Sequence, residues 1–199
     1  MMGEVVLATK NRGKMEEFAS LLRGVFQRIV PLTDLHSAPD IVEDGNTFRE
    51  NALKKARSIS ELTQKLVLAD DSGLEVEALA GRPGIFSSRY AGEGARDRDN
   101  IDKLLRELSG LGNRRGRFVC SLALVSPDGK EVVAEGVCEG IIIDEPRGEG
   151  GFGYDPVFFI PEMNKTFAEL SSEEKNRISH RARAVRALIS LINQQGIKE

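Results

Sequence analysis

The sequence predicts an α/β fold with a mixed sheet or two lobes. Short apolar runs alternate with segments of helical spacing through the first half, as in Glu4 to Ala8, then Met15, Phe18, Leu21 and Leu22. Two long β-rich runs, Arg117 to Val125 and Lys130 to Ile143, are joined by Ser126-Pro127-Asp128-Gly129, a hairpin signal that forces an antiparallel pair. Glycine-rich irregular segments lie between the elements, and a cleft is the obvious place for them to meet.

The chain has 199 residues, enough for one large domain or two small lobes. A net charge of -3, from 28 basic and 31 acidic residues, argues against a general nucleic-acid or membrane-surface binder. Cys120 and Cys138 sit in apolar segments without metal-ligand spacing and read as buried free thiols. No apolar run approaches the ~20 residues of a membrane span, and the N-terminus lacks a signal-peptide pattern, so a cytoplasmic protein is expected.

The first strand breaks at Thr9-Lys10-Asn11-Arg12-Gly13-Lys14 and a helix follows. Backbone N–H groups at a helix start, with a lysine one turn in, suit phosphate, although the spacing is not that of a Walker loop; a merely capped, solvated turn is the other possibility. Ile29 to Leu32 supplies a second strand. Thr47 and Glu50 form a capping-box pattern opening a helix through Ala52, Leu53, Ala56, Ile59 and Leu62, with Glu50 and Lys54 spaced for an i,i+4 pair.

Leu66-Val67-Leu68-Ala69 reads as a buried strand ending in Asp70-Asp71-Ser72-Gly73. Two adjacent carboxylates repel, and a divalent cation would relieve them; a solvated strand-end turn is the competing reading. Glu43, in the loop before the second helix, is free to reach toward the pair or to stay solvated. Leu74 to Leu79 suggests a short helical turn, Gly81-Arg82-Pro83-Gly84 a loop, and Asp99 to Leu108 a helix. The stretch Gly148 to Asp155 presents Phe152 and Tyr154 among glycines, suited to stacking on a planar base or to pinning a wide turn. Val157 to Ile160 is a strand, Ser171 caps a helix, and Ser179 restarts one that Gly196 ends. His36 and His180 are the histidines, and Lys175, Arg177, Arg181 and Arg183 are cationic neighbours of the latter.

Taken together, a phosphate-suited loop, a carboxylate cluster suited to Mg²⁺, an aromatic glycine loop and a cationic helix start are the parts needed to hold a nucleoside triphosphate. The segments Thr9 to Lys14, Ala69-Asp70-Asp71-Ser72-Gly73-Leu74, Gly151-Phe152-Gly153-Tyr154-Asp155-Pro156, and Glu174-Lys175-Asn176 with Ser179-His180-Arg181 resemble the inosine/xanthosine triphosphate pyrophosphatase family in order and spacing. The resemblance implies one two-lobed domain over residues 1–199, a long mixed sheet flanked by helices, a substrate cleft between the lobes, and a homodimer. It also implies Mg²⁺-dependent cleavage of ITP, dITP and XTP to monophosphate and pyrophosphate, keeping them out of DNA and RNA, with no direct nucleic-acid or membrane partner.

Carried onto this sequence, the resemblance puts the triphosphate on Thr9, Asn11, Lys14 and Lys55, and the metal on Glu43 and Asp71. Asp71 is then also the general base, with Ser72 beside it on the substrate and Asp70 in support. Phe152 would stack on the purine, Gly153, Tyr154 and Asp155 would frame its pocket, and Lys175, His180 and Arg181 would meet the base edge or the phosphates. Backbone N–H groups of the glycine loop, with His180 and Arg181, are the expected donors to a 6-oxo group. A pyrophosphatase for modified pyrimidine or methylated nucleotides and a non-catalytic nucleotide sensor are the competing functions.

Overall fold

A computed structural model describes residues 1–35 and 41–195; the expectations for His36 and for Gly196 as a helix end fall outside the described residues. Seven strands form one mixed sheet in the order β2-β1-β3-β4-β5-β6-β7, comprising β1 (Met2–Ala8), β2 (Phe26–Pro31), β3 (Val67–Val76), β4 (Arg115–Val125), β5 (Glu131–Ile142), β6 (Phe158–Ile160) and β7 (Lys165–Thr166). β1 runs parallel to both β2 and β3, whereas β6 is antiparallel to β5 and β7. The β4–β5 turn closes with Gly129 N–H donating to Ser126 O at 2.9 Å, and Gly129 takes φ +83°, where a side chain is strained. The described helices are α1 (Arg12–Leu21), α2 (Phe48–Thr63), α3 (Asp97–Leu108), α4 (Ser172–Ile178) and α5 (His180–Gln195). None of them is long and apolar enough to cross a membrane.

The chain divides into two compact units, and the division falls inside β3, between Asp71 and Ser72. The first unit comprises Met1–Asp71, Cys120–Gly136 and the segment beginning at His180. Its strands are apolar at consecutive positions because both sheet faces are covered. Val5, Leu7, Leu68, Leu122 and Leu124 pack with Phe18 and Leu22 of α1 and with Val185, Leu188 and Ile192 of α5. Val6, Ala8, Val67, Ala69 and Ala123 pack with Ala52, Ala56 and Ile59 of α2. The N-terminus of α5 approaches β5 because residue 136 is glycine. A Cβ there would lie 2.2 Å from His180 O and 2.3 Å from Ala184 N.

The second unit comprises Ser72–Val119 and Val137–Ser179. The helix α3 contributes Ile101, Leu104 and Leu108 to its core, beside Leu74 and Val76 of β3. Phe118, Phe158 and Phe167 pack with ring centroids 4.6 to 5.7 Å apart.

Two expectations are corrected. The apolar run does not stop at the aspartates: β3 continues to Val76, because Leu74 and Val76 have a core of their own to enter. Only Glu77–Leu79 forms the short helical turn. Glu50 does not pair with Lys54; its carboxylate accepts the Asn46 N–H at 2.7 Å, while Lys54 binds Asp44 Oδ1 at 2.5 Å. The loop ahead of α2 thus competes for both groups more favourably than an exposed i,i+4 pair, worth only ~0.5 kcal/mol.

The Gly136 contact is with backbone atoms that cannot rotate away. Gly136→Ala is expected to destabilise the protein by more than about 2 kcal/mol in urea unfolding, well beyond an ordinary Gly-to-Ala change in a strand.

Candidate active site

Consecutive strand residues face opposite sides of a sheet, and this separates Asp70 from Asp71. Asp70 shares the face of Leu68, against α1 and α5. Its Oδ2 accepts Lys14 Nζ at 2.7 Å and its side chain is fully buried. Burial opposes its charge, but Lys14, Lys55 and Arg181 outweigh that penalty and hold the carboxyl below its ordinary value. Arg181, itself buried on α5, pairs with Glu17 of α1 at 2.9 Å. Cys120 lies in the same field, where burial and the Asp70 charge push its thiol up and keep it unreactive, in keeping with the expected buried thiols.

Asp71 shares the other face, that of Val67 and Ala69, against α2. Its Oδ2 accepts the Asn51 amide at 2.9 Å. Burial, with the Glu43 charge adding to it, pushes this carboxyl up to about 6, against the opposing pull of Lys14, the Asn51 donor and Lys55. Lys55 reaches from α2 to the Asp70 carbonyl at 2.8 Å and forms an ion pair with Glu43. Burial disfavours its charge, yet Asp70, Glu43 and Asp71 together raise its pKa. The first unit therefore assembles Lys14, Glu43, Lys55, Asp70 and Asp71 as expected. Beside the expected aspartate pair, the Glu43 charge also repels that of Asp71.

Within the phosphate-suited loop, two side chains serve the backbone. Thr9 Oγ1 accepts the Asn11 N–H at 3.2 Å, and Asn11 caps α1 by accepting the Lys14 N–H at 3.0 Å. Capping orders the loop and leaves Lys14 on the first turn of the helix. His180 opens α5 and is almost fully buried.

Glu43 and Asp71 are the pair suited to a cation. No cluster of three or more His, Cys, Asp and Glu side chains able to hold a metal occurs among the described residues. A protein cage for Zn²⁺ or Ca²⁺ is therefore not formed by them, whereas Mg²⁺ is commonly held by one or two carboxylates plus phosphate oxygens and water. The donor set is all oxygen and the Glu43–Asp71 repulsion is what a cation neutralises, so these residues fit Mg²⁺.

In the second unit, Asp155 organises the aromatic loop. Its Oδ2 accepts the Phe152 N–H at 2.9 Å and Lys175 Nζ at 2.5 Å, with both charged side chains buried. The Lys175 ammonium lies 5.2 Å from the Phe152 ring centroid, leaving the ring half-buried. Gly151 is obligatory: at φ +72°, a Cβ would stand 2.0 Å from Asp155 Oδ2. The Gly153 N–H donates to Asp97 Oδ2 at 2.7 Å, and the buried Tyr154 hydroxyl donates to Ser87 O at 2.8 Å. Two N–H groups of the glycine loop, those of Phe152 and Gly153, are thus engaged by Asp155 and Asp97. Ser72 opens this unit on β3 and is partly exposed.

Asn51, Glu17 and Asp97 were missed in the sequence. Asn51 interrupts the buried stripe of Phe48, Ala52, Ala56 and Ile59, and a polar residue on an apolar face was the available signal. Nothing distinguishes Glu17 or Asp97 from ordinary helix-surface acids before the fold is known.

The Ham1 family model matches residues 5–191. The chain belongs to the Ham1 family. A dITP/XTP pyrophosphatase of Geobacillus kaustophilus (strain HTA426) is 54% identical over 191 residues, covering 94% of this chain and 93% of the relative. Another, of Shouchella clausii (strain KSM-K16), is 51% identical over 189 residues, covering 94% and 95%. Among solved Ham1 proteins, that of Coxiella burnetii superposes with a TM-score of 0.87 at 44% identity, over 98% of this chain and all of that one. The Staphylococcus aureus Ham1 protein gives 0.86 at 42% identity, over 96% and 99%. The family and the mixed α/β fold read from the motifs are thereby borne out.

Two outcomes test this geometry. Asp71 is protonated in folded and unfolded chains below pH about 3.8; between there and about 6 the unfolded chain ionises first, so stability falls and the cost is complete above 6. In metal-free protein, Asp71→Asn should therefore raise stability above pH 6, on the order of 2 kcal/mol, and add nothing at pH 4. Lys175→Met leaves a buried carboxylate unpaired and should cost about 3–5 kcal/mol in urea unfolding, part of it regained on adding Asp155→Asn.

Proposed function

We propose that this chain hydrolyses the non-canonical purine nucleoside triphosphates ITP, dITP and XTP to the monophosphate and pyrophosphate, removing them before polymerases use them. Full-length relation to curated dITP/XTP pyrophosphatases supports the reaction. The observation that carries the mechanism is Asp71, held by Asn51 and gathered with Lys14, Lys55 and Glu43 at one place in the first unit. A carboxylate fixed in this way is suited to take a proton from an attacking water.

Cleavage between the α- and β-phosphates asks little covalent chemistry of a protein; it needs an aligned water and neutralisation of the leaving pyrophosphate. Lys14 and Lys55 would supply positive charge to the phosphates, and Thr9 and Asn11, which order the loop through its own N–H groups, would contact them from it. Glu43 and Asp71 would hold Mg²⁺, which when bound neutralises phosphate charge and acidifies water. Arg181, whose charge acts on Asp70, and His180 would meet the base edge or the phosphates. Asp70, charged and buried, orients Lys14 and takes no proton.

Phe152 would stack on the purine, held by the Asp155–Lys175 pair beneath its loop, while Gly153 and Tyr154 shape the backbone around it. Ser72 would bind substrate beside Asp71. Discrimination against a 6-amino purine would rest on donors from the glycine-loop backbone and from His180 and Arg181, since a donor left unpaired in a closed site costs ~1–3 kcal/mol. The working molecule is taken as a homodimer, in line with the resemblance.

With Mg²⁺, dITP or XTP should yield monophosphate and pyrophosphate by ion-exchange chromatography; release of orthophosphate instead would refute this cleavage. Asp71→Asn should lower kcat by at least ~10²-fold, the usual scale for a general base, with the fold retained. Lys14→Ala should lower kcat/KM for dITP by ~10²-fold, and an unchanged value would remove Lys14 from the phosphates.

A further inference from the structure

Asn51 stands in the apolar stripe of α2 at 1% exposure, in a helix interior that gains nothing from asparagine. Burying an amide is tolerable only when its donor and acceptor are both used. They are: the Nδ2 group donates to Asp71 Oδ2 at 2.9 Å, and Oδ1 accepts the Gly45 N–H at 2.8 Å. The two ends cannot be exchanged, because the flipped amide would set its carbonyl oxygen against a carboxylate and its NH₂ against an N–H.

Residue 45 must be small for this contact to exist. A Cβ on Gly45 would lie 2.7 Å from Asn51 Oδ1 and 2.9 Å from Glu50 Cβ. Glu43 is two residues earlier in the same loop, held on its own side by Lys55, which is one helical turn beyond Asn51. One side chain therefore fixes the orientation of Asp71 and, through backbone, the loop that carries Glu43.

We propose that Asn51 is a positioning residue that sets the mutual geometry of Glu43 and Asp71 for a divalent cation without itself being a ligand. The inference rests on reading Glu43 and Asp71 as the metal carboxylates. Asparagine is the residue this place requires. Aspartate keeps the shape but opposes carboxylate to carboxylate, leucine keeps the volume but frees both partners, and glutamine is a methylene too long.

The test is Mn²⁺ binding followed by electron paramagnetic resonance, with pyrophosphate present and no hydrolysable nucleotide, on wild type, Glu43→Gln, Asp71→Asn, Asn51→Leu and Gly45→Ala. Groups that orient metal ligands typically change affinity by ~10–100-fold, and that loss is expected for Asn51→Leu and Gly45→Ala at a temperature where circular dichroism shows both folded. A purely structural role would lower the melting temperature and leave Mn²⁺ affinity alone. Affinity lost in Asp71→Asn but unchanged in folded Asn51→Leu overturns the inference and spares the metal reading. Mn²⁺ binding indifferent to both Glu43→Gln and Asp71→Asn overturns the metal reading and this inference with it. If Asn51→Leu does not fold, Gly45→Ala decides the question, since it strains the same contact from the exposed loop.

Discussion

Everything in the first unit turns on the alternation of side chains along β3. A strand that carries two adjacent carboxylates into a covered sheet must bury one on each face, and each face must then supply its own compensation. On one side the compensation is complete: Lys14 from α1, with Arg181 from α5 adding to the field, keeps Asp70 ionised. On the other it is deliberately partial, an amide from α2 and a shared lysine set against the repulsion of Glu43. The same local chemistry, a buried aspartate, becomes a fixed structural anion on one face and a responsive group on the other.

That asymmetry accounts for the way function and stability divide. A buried carboxylate with a raised pKa is a standing cost to a metal-free fold, while Asp70 and its cations repay their burial as an ion pair. The second unit shows the same economy in a different place. Asp155 is buried where it holds Lys175 and the Phe152 backbone, and Gly151 makes room for it.

Much of this was legible in the sequence. Strand and helix runs, the hairpin at Ser126 to Gly129, the caps at Thr47 and Ser171, and the residues Lys14, Glu43 and Asp71 stand out by spacing and type, whereas Lys55 enters only through the family resemblance. What was not legible depends on tertiary partners. The continuation of β3 past Ser72-Gly73 required knowing that Leu74 and Val76 enter a second core, since serine and glycine after two aspartates carry a turn signal locally. The use of the Phe152 and Gly153 N–H groups by Asp155 and Asp97 joins residues distant in the chain, and no local pattern encodes it. Asn51 alone could have been flagged, because a polar residue on a buried helix stripe must find a partner.

The first unit is assembled from three separated stretches, and the last of them brings Arg181 to the face where Asp70 is buried. At translation speeds of ~5–20 residues per second, the strands and α1 exist many seconds before that arginine does. A nascent chain thus holds Asp70 with Lys14 and Lys55 only, and the charge set around it is complete once α5 has left the ribosome and docked on Gly136. A chain released before residue 180 carries Asp70 and Asp71 without the cation that α5 adds.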